Sequence, residues 1–251
     1  MINKVTVKRV LPTVLLAAIL VLLIGLAFLP AVRGGNEPLA TVQASADDEA
    51  VRLFRKCAEY SQTHSFRTRL NGNIKARVLG LPYNVKVSGG REVNGGEFCD
   101  VTEGVSAAVK FGQKKSFAGG TYSVARGEYK DGTFVYGAAA PIDEGAYLER
   151  FGYPPTGLVK YAVESSIVNA ECRDENIYVY TLDAGAATEY YRREGRTVLG
   201  CEDCPTYTSV VLTLVTDGER AIKITAEEKF TAPKFGGIEC KATFTEMFEY
   251  D

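Results

Sequence analysis

Hydrophobic and polar residues change their spacing several times along this chain. The first pattern is an apolar run over residues 10–29, VLPTVLLAAILVLLIGLAFL, which contains no charged residue. As an α-helix this run is about 30 Å long, the thickness of the hydrocarbon core of a bilayer. Four basic residues lie close to it, three before and one after: Lys4, Lys8, Arg9 and Arg33. The positive-inside rule therefore predicts a cytoplasmic tail at 1–9, a signal anchor at 10–29 and an extracytoplasmic remainder.

A cleavable signal peptide is an alternative, because it also combines a basic start with an apolar run. The small residues Ala44, Ser45 and Ala46 form a cleavage site before Asp47, although it lies farther from the apolar run than such sites usually do. Residues 30–46 are rich in Pro, Gly and other small residues, which indicates a flexible linker. The sequence leaves two localisations open: a single-pass protein of the cell membrane, or a protein secreted after cleavage before Asp47.

Helical spacing begins at residue 48. An acidic first turn is followed by apolar or small residues three or four positions apart: Val51, Phe54, Cys57, Ala58 and Ser61. Charged residues occupy most of the positions between them. The pattern predicts one amphipathic helix over residues 48–63.

From Phe66 onward, apolar and polar residues alternate with the period of two that is typical of a half-buried strand. Residues 74–78 and 83–87 show this alternation on either side of a turn. Later runs are separated by Asn-Gly-Gly and Asp-Gly sequences, which favour hairpin turns. The sequence predicts an antiparallel meander with further strands at 97–101, 121–130, 133–136, 177–182, 207–216, 220–231 and 238–250.

The alternation is interrupted at 142–151 and 156–168, where we predict two short helices, and at 186–192, where we predict a helical turn. The chain contains 25 Gly, 14 Tyr and 12 Phe residues, a composition that suits pleated, half-buried strands. Residues 47–251 have the length of one well-buried domain. We therefore predict a mainly β (α+β) fold class, with an N-terminal transmembrane helix, one long amphipathic helix, an antiparallel sheet and short central helices.

Candidate catalytic chemistry is sparse. His64 is the one histidine of the sequence, so any Ser-His-Asp or Cys-His arrangement would depend on it. Its position at the end of the predicted helix favours an interaction with the helix dipole instead. The sequence contains no P-loop, no dinucleotide-binding fingerprint and no HExxH motif. Carboxylates such as Glu227 and Glu228 are expected on solvated strand faces, and Gly89-Gly90 in a turn. We predict no enzymatic activity, no cofactor and no metal.

Charge does not indicate a polyanionic partner. The chain carries 31 acidic and 29 basic residues, and the two signs are interspersed beyond the linker. Nucleic-acid-binding domains carry a basic stripe instead, so no nucleic acid partner is expected. The linear sequence shows no polybasic membrane patch either.

Six cysteines in an exported chain predict structural disulfides. Cys201 and Cys204 form a CxxC motif in a polar loop, which also fits a redox pair or half of a metal site. Glu202 and Asp203 between them raise the pKa of the thiols, and Pro205 follows where a redox motif needs a helix. A structural disulfide is therefore the favoured interpretation. Two further cysteines lie on apolar faces and are expected to be buried: Cys57 and Cys240.

The order of these elements, together with IYVYTL at 177–182 and LVTDGERAIKI at 214–224, resembles the LolA/LppX-like half-barrel family of bacterial envelope lipoprotein and lipid-binding proteins. The resemblance implies a curved, open sheet around an apolar cavity, covered by a lid at 142–168. It implies ligand contacts from four lid residues: Tyr147, Phe151, Leu158 and Tyr161.

The predicted anchor would prevent free shuttling between membranes, so a tethered carrier, sensor or regulator of the cell envelope is expected. Its expected partners are the cell membrane, through residues 10–29, and a lipid or lipidated protein. The alternative is a structural or protein-interaction domain in envelope assembly whose inner face is filled by its own side chains.

Overall fold

A computed structural model of the chain describes residues 48–107, 109–151, 166–194, 204–232 and 237–251. These ranges contain three helices and twelve strands. The helices are α1 (Asp48–Thr63), α2 (Glu144–Phe151) and α3 (Ala184–Glu194). The strands are β1 (Phe66–Val78), β2 (Leu81–Asn94), β3 (Glu97–Val105), β4 (Lys110–Ala118), β5 (Thr121–Lys130), β6 (Thr133–Tyr136), β7 (Ala140–Asp143), β8 (Ile167–Asp174), β9 (Ile177–Leu182), β10 (Thr206–Thr216), β11 (Ala221–Ala232) and β12 (Ile238–Tyr250).

All twelve strands belong to one antiparallel sheet. Its order is β6-β5-β4-β3-β2-β1-β12-β11-β10-β9-β8, and β7 pairs with β5. The last strand returns to the first, with a register that runs from Phe66 opposite Tyr250 to Ala76 opposite Cys240. The predicted antiparallel, mainly β fold is therefore confirmed, and α1 has the predicted bounds.

Glycines serve two different purposes in this sheet. Asp131-Gly132 forms the predicted tight turn, with φ values of 50° and 89° that suit a type I′ hairpin. The prediction of a turn at Gly89-Gly90 is wrong, because both residues lie inside β2. A Cβ on Gly89 would clash with the Val101 carbonyl oxygen. Glycine is needed at this position because the backbones of β2 and β3 approach each other too closely for a side chain.

Helix α1 packs on one face of the sheet, which we call the inner face. The Tyr180 hydroxyl donates to the Ala50 carbonyl oxygen at 2.9 Å, and the Phe54 and Tyr180 rings meet edge to face at 5.2 Å. Under the helix the inner face of β9 and β10 is apolar and buried, with Tyr180, Val210, Leu212 and Leu214. Ile224 and Ala226 continue it on β11, where Glu228, opposite Val210, is also buried.

The sheet curves, and the two short helices lie where its ends approach. Helix α2 contacts β5 and β7, it also contacts α3, and α3 packs on β10. Strands β5 and β10 are seven steps apart in the sheet order, which in a flat sheet would separate them by about 34 Å. Each helix begins at an aspartate whose Oδ1 accepts a hydrogen bond from the N–H three residues later: Asp143 and Asp183.

The central part of the chain differs from the prediction. The helix predicted at 142–151 begins at Glu144, after a short strand, and the helix predicted at 156–168 is wrong at its end, because Ile167 and Val168 belong to β8. Residues 156–165 lie outside the described ranges. Strand β4 was not predicted, because its buried side is interrupted by Gln113 and Lys115 and so lacks an apolar alternation.

Within the described ranges, no helix is both long enough and apolar enough to cross a bilayer. Residues 1–47 lie outside these ranges. The cytoplasmic tail at 1–9, the anchor at 10–29 and the linker at 30–46 therefore stay predictions.

Candidate ligand-binding face

Strand pairing aligns the inner-face side chains of neighbouring strands into rows. One row is almost entirely aromatic and lies at the rim that carries the β2–β3 and β4–β5 turns. Its rings are close enough to interact: Phe66 and Tyr250 are 5.5 Å apart, and Phe98 and Phe117 are 6.4 Å apart. We call it the aromatic row, which runs from β12 to β5 through Tyr250, Phe66, Val93, Phe98, Phe117 and Tyr122.

The next row is polar and charged, and we call it the charged row: Thr68, Arg91, Asp100 and Lys115 on β1 to β4. Arg91, Asp100 and Lys115 are 8%, 5% and 6% exposed. An Arg91 Nη lies 3.7 Å from Asp100 Oδ2, and the Arg91 backbone N–H donates to Thr68 Oγ1 at 2.9 Å. Buried charges are costly unless they attract one another, and the order of positive, negative and positive groups supplies that attraction.

A third band, farther from the aromatic row, is mainly apolar. Between it and the charged row lies Glu246, half-buried, whose Oε1 accepts a 2.6 Å hydrogen bond from the Thr68 hydroxyl. The Phe111 ring lies over Gly104 on the neighbouring strand, where a Cβ would clash with it. We call this band the apolar band, and it includes Ile74, Val85, Val87, Phe111 and Phe244.

The inner face of β1 to β5 is thus amphipathic over a short distance. A charged or zwitterionic group can pair with the charged row, while an alkyl chain can lie against the apolar band or the aromatic row. Metal binding has no comparable support, since no group of three or more His, Cys, Asp or Glu residues in the described part of the chain is arranged to hold an ion.

Comparison with known proteins gives matches among solved structures only. No family model and no curated protein matches the chain. A DUF1329 family protein from Desulfovibrio piger is 10% identical, with a TM-score of 0.32, over 81% of this chain and 91% of that one. A LolA superfamily protein from Nitrosomonas europaea is 11% identical, with a TM-score of 0.27, over 80% and 94%. An outer membrane lipoprotein-sorting protein domain from Vibrio parahaemolyticus is 7% identical, with a TM-score of 0.34, over 81% and 93%.

The chain is similar to LolA-like proteins. The sequence resemblance named the same family. The identities of 7–11% and TM-scores of at most 0.34 are low, so the ligand of this chain has to be inferred from its own residues.

The four lid residues named by the resemblance lie partly outside the described structure. Tyr147 and Phe151 belong to α2, which sits where the ends of the curved sheet approach, but their side chains are not among the described ones. Leu158 and Tyr161 lie outside the described ranges altogether. Their contact with a ligand stays a prediction.

The cysteines do not form the predicted framework. The five described cysteines make no disulfide with one another. They lie on different elements, and Cys99 points to the outer face, whereas a disulfide needs two Cα atoms within about 7 Å. The predicted burial of Cys57 and Cys240 is confirmed, because they are 0% and 8% exposed. This burial raises the pKa of Cys57 and raises the pKa of Cys240 to about 11. The prediction of disulfides is therefore wrong for pairs among Cys57, Cys99, Cys172 and Cys240.

The CxxC motif is only half described. Cys204 is half-buried just before β10, and Cys201 lies outside the described ranges. Their pairing as a structural disulfide, a redox pair or half of a metal site therefore stays a prediction.

His64 lies directly after α1, as predicted. Its Nδ1 is 3.0 Å from the Tyr60 carbonyl oxygen and 2.9 Å from the Thr63 hydroxyl. Its ring stacks on that of Tyr60 at 3.7 Å with an interplanar angle of 3°. These contacts are those of a residue that closes a helix end.

Sequence reasoning missed the buried charges. Glu228 was expected on a solvated face with Glu227, but only Glu227 is exposed, and Glu228 is 3% exposed on the inner face. The alternation of strand side chains could have revealed both residues, because every second residue of a strand points to the same face. Glu228 lies on the same side of β11 as Ala226, and Arg91 lies on the same side of β2 as Val93. A charge at an apolar position of an alternating strand marks such a site.

Proposed function

We propose that this protein is a membrane-anchored, extracytoplasmic binding protein for an amphipathic, lipid-like ligand. It acts without catalysis, as a carrier, sensor or regulator of the cell envelope. The observation that carries the proposal is the charged row, which is buried on the inner face between the aromatic row and the apolar band.

Folding alone does not require buried charges on the inner face of a sheet. Apolar residues of similar volume often match or exceed the stability of a buried ion pair, so the charged row is not explained by the need for a core. The inner face under α1 shows the apolar solution in the same molecule. A ligand with a charged head and an alkyl chain matches both the charged row and the apolar band, which lie about 13 Å apart along the strands.

The anchor is supported by the apolar run at 10–29 and by the basic residues that precede it. Alkaline carbonate extraction tests this part of the proposal. The chain should remain in the membrane fraction, and an external protease should degrade the domain. Release of a protein whose N-terminal residue is Asp47 would instead establish the secreted alternative.

Ligand binding is tested with a photoactivatable fatty acid and with lipid extraction from the purified full chain. The test variant carries Arg91→Met and Asp100→Leu, which removes one positive and one negative charge from the charged row. A matched control removes the outer-face pair Arg69 and Glu249, which are 3.0 Å apart and exposed, by Arg69→Met and Glu249→Leu.

Wild type and control should be labelled on peptides of β1 to β5, and the charged-row variant should lose most of that labelling. Equal labelling of both double variants would contradict the proposal, as would a wild-type domain from which no lipid is recovered.

A structural or interaction domain is the second candidate, and the half of the sheet under α1 favours it. Tyr180, Leu212 and Leu214 are at most 1% exposed there, so that half is filled by the chain itself. A wild-type domain that carries no lipid would favour this function. Charged-row variants that change only the capture of a partner protein would favour it too.

The CxxC motif is not part of the proposed site. Replacement of Cys201 and Cys204 by Ser should leave photolabelling unchanged and lower the free energy of unfolding by at most a few kcal/mol. Stoichiometric zinc in the wild type, or loss of binding without loss of stability, would contradict this assignment.

A further inference from the structure

Three lysines lie side by side on the outer face of the sheet. Lys241 on β12 is the direct cross-strand partner of Lys75 on β1 and of Lys229 on β11. All three side chains are exposed. Like charges directly opposite one another destabilise a sheet, so this row, which we call the lysine row, lowers the stability of the domain by itself.

No neighbouring carboxylate in the described part of the chain forms a direct ion pair with the lysine row. Glu227 and Glu239 lie two positions away on β11 and β12, yet within the described ranges no carboxylate lies within 4 Å of a lysine-row Nζ. Two more exposed basic residues on the same face extend the positive surface: Arg77 on β1 and Lys86 on β2.

The hairpin between β1 and β2 exposes leucines next to this surface. Leu79 is 88% exposed and has a φ of 51°, a left-handed conformation that strongly favours Gly or Asn over a bulky apolar residue. Leu81 is 58% exposed. The tip of this hairpin, which we call the leucine tip, lies about 13 Å along β1 from Lys75. An exposed leucine in a left-handed backbone conformation does not stabilise the fold, so folding does not account for Leu79 at this position.

The chain enters the domain toward the same end. Tyr60, near the end of α1, packs its ring at 5.3 Å from Tyr250 in the aromatic row. Ala50, near the start of α1, accepts a hydrogen bond from Tyr180 on β9. Strand pairing through β10 and β11 puts Tyr180 at the same level of the sheet as Phe244 on β12. Phe244 is six residues before Tyr250, or about 20 Å along the strand. Helix α1 therefore begins nearer to the leucine tip than it ends.

We propose that this end of the domain docks on an anionic phospholipid bilayer, with the leucine tip among the lipids and the lysine row facing their phosphates. Apolar side chains and clustered basic residues act together at such surfaces. An acidic protein partner would use the lysines but would not need an exposed, strained leucine. This inference rests on the proposed function for its anchor, which would hold the domain close to the membrane.

The test uses the full chain in nanodiscs made of phosphatidylcholine alone or of phosphatidylcholine with phosphatidylglycerol. Acetylation of each lysine is followed by mass spectrometry. Lys75, Lys229 and Lys241 should react at least about fivefold more slowly in anionic nanodiscs, since one basic residue near such a surface changes the binding equilibrium by about that factor. High salt should remove the difference. Lys223, on the same face of β11 but six residues from Lys229, should react equally in both.

Two variants separate docking from folding. Lys241→Glu should make the isolated protein more resistant to urea, because it places an acid between two lysines, and should abolish the protection of Lys75. The matched control Lys223→Glu makes the same change of charge on the same face and should leave the protection of Lys75 intact. Leu79→Gly suits the left-handed backbone, so it should preserve stability and still weaken the protection.

Nanodisc capture and lysine protection report on different proposals. A captured chain whose lysine row reacts equally in the two lipids overturns the docking and leaves the anchor intact. A chain that is not captured overturns the anchor, and flotation with phosphatidylglycerol vesicles then tests docking by itself. Failure to float, or equal flotation of wild type and Lys241→Glu, overturns it.

Discussion

On the inner face of β9 and β10, Tyr180 and Leu212 are fully buried beneath α1, whereas on the same face of β2, β3 and β4 the buried residues include three charged ones: Arg91, Asp100 and Lys115. Both halves of the sheet are antiparallel and belong to one continuous set of hydrogen bonds. The first half gains stability from apolar burial and aromatic contact. The second retains charges in a place where apolar residues would stabilise the fold as well or better.

The two regions differ in purpose: the apolar one holds the domain together, and the charged one has groups that can bind a ligand. A region selected for packing alone needs shape complementarity and no charge. A region that receives a ligand needs polar or charged groups that can still interact with that ligand. Such groups are more costly to bury than apolar side chains. The charged row has this character, and the inner face of β9 and β10 does not.

The largest effect is expected in the apolar half. Tyr180→Ala removes a ring that packs on Phe54 and a hydroxyl that donates to Ala50, and it should lower the free energy of unfolding by about 3–5 kcal/mol in urea denaturation. Tyr180→Phe is the control, since it loses only the hydrogen bond and should cost about 1 kcal/mol. Equal losses for the two variants would show that the ring does not stabilise this half.

The next effect concerns the charged half. Asp100→Ala removes the negative charge that lies 3.7 Å from Arg91 and opposite Lys115 on β4, and should cost about 3 kcal/mol, because Arg91 then stays buried without this opposite charge. The double variant Arg91→Met, Asp100→Leu should cost less than this single variant in the same urea denaturation. If the double variant cost as much as Asp100→Ala, the charged row would be a structural network and its link to a ligand would be lost.

A smaller effect is expected where the two halves meet. Asp183 begins α3, the helix that connects α2 to β10, and its Oδ1 accepts from the Ala186 N–H at 2.8 Å. Asp183→Ala should destabilise the domain by about 1 kcal/mol in thermal or urea unfolding. Asp183→Asn keeps the acceptor and should stay close to wild type, so an Asn variant as unstable as the Ala variant would exclude capping as the cause.

The smallest effect is expected from an exposed ion pair at the β10–β11 turn. Burial raises the pKa of Asp217, but backbone N–H groups and the Arg220 guanidinium, 2.7 Å away, outweigh this and hold the pKa below its ordinary value of 3.8. Because the pKa of Asp217 is lower in the folded than in the unfolded protein, the ionised carboxylate stabilises the fold at any pH above the unfolded pKa. This stability is lost as the pH falls through the folded pKa. Since the Asp217 side chain is 39% exposed, the contribution should stay below about 0.5 kcal/mol.

This prediction is checked by the difference in unfolding free energy between wild type and Asp217→Asn. The difference should be present at about pH 6 and should be lost as the pH falls below 3.8 and through the lower pKa of the folded state. A difference that grows on acidification would reverse the assigned sign.

Local periodicity predicted a large part of the fold. The helix at 48–63 and the closing strands at 207–216, 220–231 and 238–250 agree with α1, β10, β11 and β12 to within a residue or so. These segments bury one side only, so their apolar spacing reveals both the type of element and the buried face. Strand β4 was missed for the opposite reason, because Gln113 and Lys115 occupy its buried side. The same departure from pattern concealed the candidate site.

The sequence by itself determined the apolar segment at 10–29 and, for α1, β10, β11 and β12, the kind of element, its place in the order and its apolar side, because these depend on residues within a few positions of one another. Only the tertiary structure decided which strands are neighbours and in which register they pair. That pairing brought Arg91, Asp100 and Lys115 into one row. It also assembled a positive surface from Lys75, Lys229 and Lys241, residues more than 150 positions apart at the extremes, where the linear sequence shows no basic cluster. Register depends on how the whole sheet curves and packs, and no single segment encodes it.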